Sequence, residues 1–486
     1  MSSTNIDRQQ QTETPGCLND RLSKIKYLGS LWLGKILISA TRISGRGGTT
    51  LPGRVALKIS PKLTSFLTGQ LTRGSLIVTG TNGKTTTASL LTGILKNEGY
   101  RCIHNQSGSN MSWGVASALI GASSWRGKLT ADFAVMEVDE GAFPAIVRDI
   151  QPLATVVTNI FRDQLDRYGE VDQIRDAIRR GLNAQPQGSF QIINADDPSL
   201  TGIEIADGLS RWTYGQESEP PETTYQNTSG DIKLCPRCHD KLDYMIIYFA
   251  HLGQYRCLRC GYKRPEPEVK LTGHTRYPDG SALLEIRLPD ETLLVKYPLI
   301  GTYNVYNALA AIACAHTLAI PSATIKLSLE KAVPPFGRME LFELEGKTMI
   351  MALIKNPVGA NEVLRTLLSQ TGNVDILIAI NDKIADGTDV SWLWDVDFEL
   401  LTAIEERLSS IVVSGLRAWD MAVRLKYSCF DPKRIQVEEN TAKALKHCLD
   451  QTATGKVLYL LPNYTAMLEM RHAMNQMGLG KPYWEG

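Results

Sequence analysis

Six consecutive residues, Gly80-Thr81-Asn82-Gly83-Lys84-Thr85, combine the side chains and glycines that hold phosphate. They follow the apolar run Leu76-Ile77-Val78 and lead into Thr86-Thr87-Ala88-Ser89-Leu90-Leu91. A buried strand, a glycine turn and a helix start are expected in that order. Glycines let the backbone approach phosphate oxygens, and the amides and the positive end of the helix dipole stabilise the negative charge. In this pattern Lys84 reaches the outer phosphates and Thr85 offers a hydroxyl to Mg²⁺, with Gly80, Thr81, Asn82, Gly83 and Thr86 forming the cradle. The eight-residue form of the motif has glycine where this chain has Val78, so the loop is a variant. The competing reading, an ordinary turn between strand and helix, leaves the Gly-Lys-Thr run unexplained. A second apolar run, Phe133-Ala134-Val135-Met136, ends in Glu137 and Asp139. Hard oxygen ligands at a strand end opposite a phosphate loop suit Mg²⁺. Glu137 is favoured over Asp139 because it follows the run directly; the alternative is a solvated acidic turn.

Cys235-Pro236-Arg237-Cys238 and Cys257-Leu258-Arg259-Cys260 form two matched knuckles at a separation typical of zinc ribbons. Four thiolates close a tetrahedral shell around Zn²⁺ and leave no open position, so a structural metal is expected. His239 and His251 are surplus to that shell. Asn304 and Asn307 share one face of an expected helix at i, i+3, where an amide can both give and accept hydrogen bonds, as an adenine edge requires.

These residues need elements to position them. From about 60 to 330 strands and helices alternate, as in a mostly parallel α/β sheet. The expected strands Leu76–Thr79, Phe133–Val138, Ala154–Thr158 and Phe190–Ile193 all end in polar residues, which points to one crevice at their carboxyl ends. Asn194-Ala195-Asp196-Asp197 is the fourth such end. The expected organisation is a tail and amphipathic helix over 1–59, a central domain over 60–334 with the ribbon inserted at about 230–266, and a C-terminal α/β domain over 335–486. The amphipathic helix, Leu18 to Ile43, carries Lys24, Lys26, Lys35 and Arg42; it either packs on the domain that follows or lies on a membrane surface. At 486 residues, 43% hydrophobic, 21% charged and a net charge of +1, the chain has no global field that argues for nucleic acid. No apolar stretch reaches the length of a membrane span, and the polar N-terminus lacks a signal-peptide core, so the cytoplasm is the expected compartment.

Taken together the pieces resemble the Mur ligase superfamily, ATP-dependent enzymes that activate a carboxylate and join it to an amine. The resemblance rests on Gly80–Thr85, Glu137, Thr158-Asn159 with Asp163-Gln164-Leu165-Asp166-Arg167, Asn194–Asp197, Asn304 with Asn307, and Gly337-Arg338-Met339-Glu340. It implies a Mur ligase-type central phosphate-loop domain and a C-terminal α/β domain. There are three departures. The loop near residue 80 leaves no room for a domain that holds a UDP-linked substrate. Gln164 stands where the peptide-adding ligases carry a metal-binding His. Lys355-Asn356-Pro357 replaces part of their usual Asp-x-Ala-His-Asn-Pro pattern. Those departures, the ribbon and Asn381-Asp382-x-x-Ala385-Asp386-Gly387-x-Asp389-Val390-Ser391-Trp392-x-Trp394-Asp395 are similar to the branch that supplies the ligase subunit of lipid II isoglutaminyl synthase.

That resemblance implies ATP-dependent amidation of the α-carboxyl of D-glutamate in the lipid II stem peptide, through an acyl phosphate. The ammonia comes from a GatD-type glutaminase in a heterodimer that meets its substrate at the inner membrane surface without being integral to it. Lys84 and Mg²⁺ on Thr85 and Glu137 neutralise charge. Asn307 and Arg338 hold ATP, and Lys355 is a candidate to meet the substrate carboxylate. Asp389 supplies the acid of the partner's Cys-His centre. The rival reading of Asp389 is a helix cap, and Asp386 and Asp395 are rival carboxylates. Two rival functions are a stand-alone Mur-type peptide ligase and a non-catalytic nucleotide-binding scaffold.

Overall fold

The computed structural model describes residues 17–43, 49–105, 109–162, 171–217, 232–277, 281–368 and 372–479. Strands β1 (Gly74–Thr79), β2 (Cys102–His104), β3 (Phe133–Glu137), β4 (Ala154–Val157), β5 (Phe190–Asn194) and β6 (Ser210–Gln216) lie parallel in the order β6-β5-β4-β1-β3-β2. A meander of Val269–Arg276, Ala282–Arg287 and Thr292–Tyr297 extends the same sheet beyond β6. The four strands expected at the centre of the sheet are present, each within two residues of its expected ends.

β1 is buried along its whole length, as a central parallel strand covered on both faces must be. Its side chains alternate between two cores. Leu76 and Val78 pack with helix α4 (Lys84–Asn97) and the helix Thr302–Thr317. Ile77 points the other way, into a cluster with α1 (Cys17–Ile43), α2 (Leu51–Ile59), α3 (Leu63–Thr68) and α5 (Ser112–Ala122). Tyr27, Leu31 and Ile38 of α1 lie in that cluster, so the inner face of the N-terminal helix shares a core with the sheet. Among the described residues no helix is long and apolar enough to cross a membrane.

A second sheet has six strands, in the order Arg338–Leu344, Lys347–Ala352, Val457–Pro462, Val374–Ala379, Leu408–Ser414 and Ile435–Val437. The first pair is antiparallel and the rest are parallel. Its two faces carry separate apolar clusters, around Ile376 and Ile378 on one side and Leu377 and Ala379 on the other.

The cysteine-rich insertion is a hairpin, Asp243–Phe249 paired with Leu252–Arg256, flanked by the two knuckles. It seals the end of β5. Tyr255 donates its hydroxyl to Ala195 O at 3.1 Å, Tyr262 donates to Pro198 O at 2.7 Å, and Arg264 pairs with Asp196. Asp196 also accepts from Tyr306 at 2.7 Å, and Asp197 accepts from the Ile160 amide at 2.8 Å. Both carboxylates are fully buried, so this strand end is a structural joint and not part of the open crevice expected there. Burial of an ionised group requires such partners.

Candidate functional site

The turn from β1 into α4 runs through Gly80 and Gly83, at φ +119° and +89°. A side chain at Gly83 would collide with Asn307, whose Oδ1 lies 2.1 Å from the position of a Cβ. Only glycine lets this turn pass so close to the helix Thr302–Thr317. Asn307 is thereby set against the loop, with Thr87 donating to its Oδ1 at 3.4 Å and its own amide 3.3 Å from Asn304 Oδ1.

Thr85 and Glu137 come together. The hydroxyl donates to the carboxylate at 2.8 Å, although the residues are 52 positions apart. Asn105 fixes the strand end that carries Glu137, accepting from the Glu137 amide at 2.8 Å and donating to its carbonyl at 2.8 Å. Lys84 is buried and curls back over its own loop, donating to Thr81 O at 3.2 Å. Its ammonium also lies 3.2 Å from both oxygens of Glu140. Asp139, the alternative metal ligand, is buried and accepts from the Gly141 amide at 3.1 Å. Glu140 was not singled out by the sequence; it belongs to the same acidic run, and only the turn after β3 aims it at Lys84.

Glu137, Asp139 and Glu140 are all buried at the end of β3 and in the turn after it, with Glu140 facing the buried Lys84 ammonium. Hard oxygen donors with a hydroxyl beside them fit Mg²⁺.

A cleft of about 650 Å³ opens beside the loop, between the two sheets, and Asn82, Gly83, Thr86, Asn307 and Arg338 all line it. Asn82 is held from both sides: its amide donates to Asn159 Oδ1 at 2.9 Å, and its Oδ1 accepts from Asn356 at 3.0 Å. The Nδ2 of Asn82 is buried and has no partner, a donor facing phosphate-loop space. That orphaned donor, the two glycines and Arg338 fit a nucleotide. Glu362, which the sequence did not flag, also lines the cleft; burial raises its pKa and Arg365 opposes that. Lys355 is half-buried and precedes Asn356 in the chain. Asp163 to Arg167, including Gln164, lie outside the described residues.

The Asp389 turn belongs to the second sheet. Asp389 accepts from the Ser391 amide at 2.8 Å, which holds its carboxyl below the usual carboxylate range. That bond closes a turn one residue ahead of Val390, the N-cap of the short 3-10 helix Ser391–Asp395, so it serves much as the cap of the rival reading would without standing at the cap position. The two rival carboxylates are engaged further away. Asp386 is buried and accepts from the Thr465 amide at 2.8 Å, and Asp395 pairs with Arg162 of the first sheet's loops. Asp389 is held by its own turn. Trp419, Val423 and Tyr427 form an exposed i, i+4, i+8 stripe on the helix Ala418–Tyr427, and the Trp394 ring lies tilted against Tyr427 with ring centres 5.8 Å apart.

The four knuckle sulfurs lie within 4.8 Å of one another, with Cys235–Cys260 at 3.6 Å and Cys238–Cys257 at 3.5 Å. A tetrahedron with Zn–S bonds near 2.3 Å has sulfurs about 3.8 Å apart, so the cage fits zinc. The backbone amides of Cys260 and Arg259 hold the Cys257 thiol down to about 7, whereas, against the pull of the Asp240 amide, burial and the neighbouring cysteines push the Cys238 thiol up to about 12, so the four sulfurs share protons as one cluster that a cation would discharge.

Residues 78–315 match the model of the Mur ligase middle domain, and residues 353–467 match that of the MurT ligase C-terminal region. The chain is 34% identical over 447 residues to the lipid II isoglutaminyl synthase (glutamine-hydrolyzing) subunit MurT of Staphylococcus aureus strain COL, covering 92% of this chain and 97% of that one. It is 35% identical over 431 residues to the subunit of the same name from Streptococcus pneumoniae strain ATCC BAA-255 / R6, covering 88% and 92%. A pseudomurein peptide ligase type C from Methanothermus fervidus shares the fold, with a TM-score of 0.62 at 23% identity over 85% of this chain and 80% of that one. Likeness at this level over nearly the whole of both relatives places the chain in the MurT family of Mur-type ligases.

Proposed function

We propose that this chain is the synthase subunit of a lipid II isoglutaminyl synthase. It amidates the α-carboxyl of D-glutamate in the lipid II stem peptide to D-isoglutamine, using ATP and ammonia released by a GatD-type glutaminase. The near full-length likeness to the two MurT subunits carries this reading, and the geometry supports its chemistry. A carboxylate is a poor electrophile because it must expel oxide. Transfer of the γ-phosphoryl group of ATP to a carboxylate oxygen gives an acyl phosphate and ADP. Ammonia then adds to the carbonyl carbon and inorganic phosphate leaves with the bonding pair. Positioning and charge neutralisation supply most of the acceleration.

The residues divide the work as follows. Gly80, Thr81, Asn82, Gly83 and Thr86 cradle the phosphates, and Asn307 and Arg338 hold the nucleotide across the cleft. Lys84 exchanges its contact with Glu140 for the outer phosphates. Thr85 and Glu137 hold Mg²⁺, which when bound neutralises charge on the transferring group. Lys355 meets the substrate carboxylate. The four cysteines hold a structural Zn²⁺ away from the chemistry. Asp389 completes the partner's Cys-His centre by fixing the His tautomer, with Trp394, Trp419 and Tyr427 available to bury against that partner. This chain has no Gly-x-Cys-x-Gly nucleophile elbow of its own.

The test is an assay of the chain alone with lipid II, ATP, Mg²⁺ and ammonium. Expected is ATP hydrolysis that depends on both acceptor and ammonium, with a product whose mass corresponds to a single amide. An amino-acid adduct would move the chain to the peptide-adding ligases. Nucleotide binding with no acceptor-dependent turnover would make it a scaffold.

A further inference from the structure

The outward face of α1 is apolar. Ile25, Trp32, Ile36 and Ile43 are 66, 49, 55 and 88% exposed, and Leu33 is exposed beside them. With the exposed Gly29 and Ala40 they recur at spacings of three and four, which makes one continuous stripe. The opposite face of the same helix, Tyr27, Leu31 and Ile38, is already spent on the core. A surface helix of a globular domain needs one apolar face; this one has two. One more exposed aromatic adjoins the stripe: Trp32 donates its indole N–H to the carbonyl of the exposed Trp125 at 2.7 Å.

The chain here is basic. After Asp20 near the start of α1, no Asp or Glu occurs from Arg21 to Asn97, whereas residues 21–73 hold ten Lys and Arg: Arg21, Lys24, Lys26, Lys35, Arg42, Arg46, Arg54, Lys58, Lys62 and Arg73. In a chain of net charge +1 this is a local asymmetry. Lys26 and Arg42 on α1, and Arg54, Lys58 and Lys62 on and after α2, are exposed. A second copy of the chain would set these cations against each other, which argues against a homodimer on this face. A flat anionic surface satisfies both features at once: the apolar stripe enters the acyl boundary, the tryptophans sit at headgroup level and the cations meet lipid phosphates.

We propose that the outward face of α1, with Trp125, docks this protein peripherally on an anionic bilayer. The nineteen residues from Ile25 to Ile43 would lie in the membrane plane over about 28 Å at 1.5 Å per residue. The inference stands on this face alone and does not need the amidation reading. If both hold, they connect, because Arg42 of α1 also lines a cleft with Thr49, His104 and Asn105, and Asn105 clamps the strand end of Glu137. A lipid-held substrate would then approach the site from the side that faces the membrane.

The test is co-sedimentation of the full chain with vesicles of phosphatidylcholine alone or mixed with phosphatidylglycerol. Expected is binding to the anionic vesicles, weakened by added salt and slight with phosphatidylcholine. Trp32→Asp with Ile36→Asp should reduce that binding roughly tenfold or more, since two apolar side chains leave the lipid. Ile36→Glu alone should reduce it less, and guards against a misfolded double variant. Thermal melting should be unchanged for Ile36→Glu and a few degrees lower for the double variant, which loses the Trp32–Trp125 hydrogen bond, while amidation of a water-soluble acceptor analogue should be unchanged in both. Equal vesicle binding by wild type and a folded variant overturns the proposal. So does wild type that ignores anionic vesicles, whether it stays monomeric, dimerises by light scattering, or binds only with a glutaminase present.

Discussion

The phosphate-loop site and the Asp389 turn differ in how far each is finished within this chain. At the loop, groups from distant parts of the chain meet: Thr85 reaches Glu137, Lys84 reaches Glu140, and Asn82 meets Asn159 and Asn356, with only its Nδ2 left over. At the turn, Asp389 is tied to Ser391 only two residues away, and Trp394, Trp419 and Tyr427 remain more than half exposed. On the proposed reading, the first site waits only for its ligands, whereas the second would be completed by the glutaminase partner. Buried charges must find partners inside the fold, whereas a half-exposed carboxylate is stable with water until a partner arrives.

The sharpest break between the two regions should come from Lys84→Met, which keeps bulk and removes charge. Ammonia-driven and glutamine-driven amidation should both fall by roughly 10³-fold or more, as with other cations on a transferring phosphoryl group. The ammonium also neutralises Glu140, so melting temperature should fall. Adding Glu140→Gln should recover stability without activity, read by calorimetry and turnover together. Full amidation by folded Lys84→Met protein would sink the loop assignment.

Asp389→Asn should act on one nitrogen source only. Glutamine-driven amidation should drop by about 10²- to 10⁴-fold, as when a buried carboxylate no longer holds a catalytic His. Ammonia-driven amidation and complex formation should survive, because Asn keeps the shape and much of the cap. Loss of both activities, or of neither, rejects Asp389 as the donated acid and leaves it as a cap.

Cys260→Ser tests whether the ribbon belongs to the finished site. Elemental analysis of wild type should give one zinc per chain, and the variant should lose it. Phe249 and Leu252 of the ribbon hairpin line the nucleotide cleft, so KM for ATP should rise several-fold as the insertion loosens. Wild type without stoichiometric zinc would end the metal assignment.

The smallest effect is expected from Asn356→Ala. It removes the 3.0 Å hydrogen bond that reaches Asn82 from the second sheet. A net loss of about 1 kcal/mol is several-fold in ATP affinity, with glutamine-driven and ammonia-driven rates falling together. A change in only one of them would mean that Asn356 serves the partner side.

Contiguous motifs are legible in the chain itself. The phosphate loop and the cysteine knuckles put most of their chemistry within a few residues, so spacing alone identifies them. Glu137 is legible because it ends an apolar run. Glu140, Asn105 and Glu362 are not, since nothing local distinguishes an acid that meets Lys84 from one in water. Asp196 and Asp197 read as part of a crevice and prove to be a buried joint, because Arg264 and Tyr306 reach Asp196, and Tyr255 and Tyr262 reach the flanking Ala195 and Pro198 carbonyls, from far along the chain.

By itself the sequence determined the order of elements, the phosphate loop, the thiolate cage and the branch of the superfamily. These depend on backbone freedom at glycine, period-two burial and ligand spacing, which neighbours in the chain set. Only the tertiary structure decided which acid pairs with Lys84, which strand ends stay open, and which face of α1 is left bare. Those depend on groups brought together from tens to hundreds of positions apart, where burial assigns each charge its partner and each apolar face its cover.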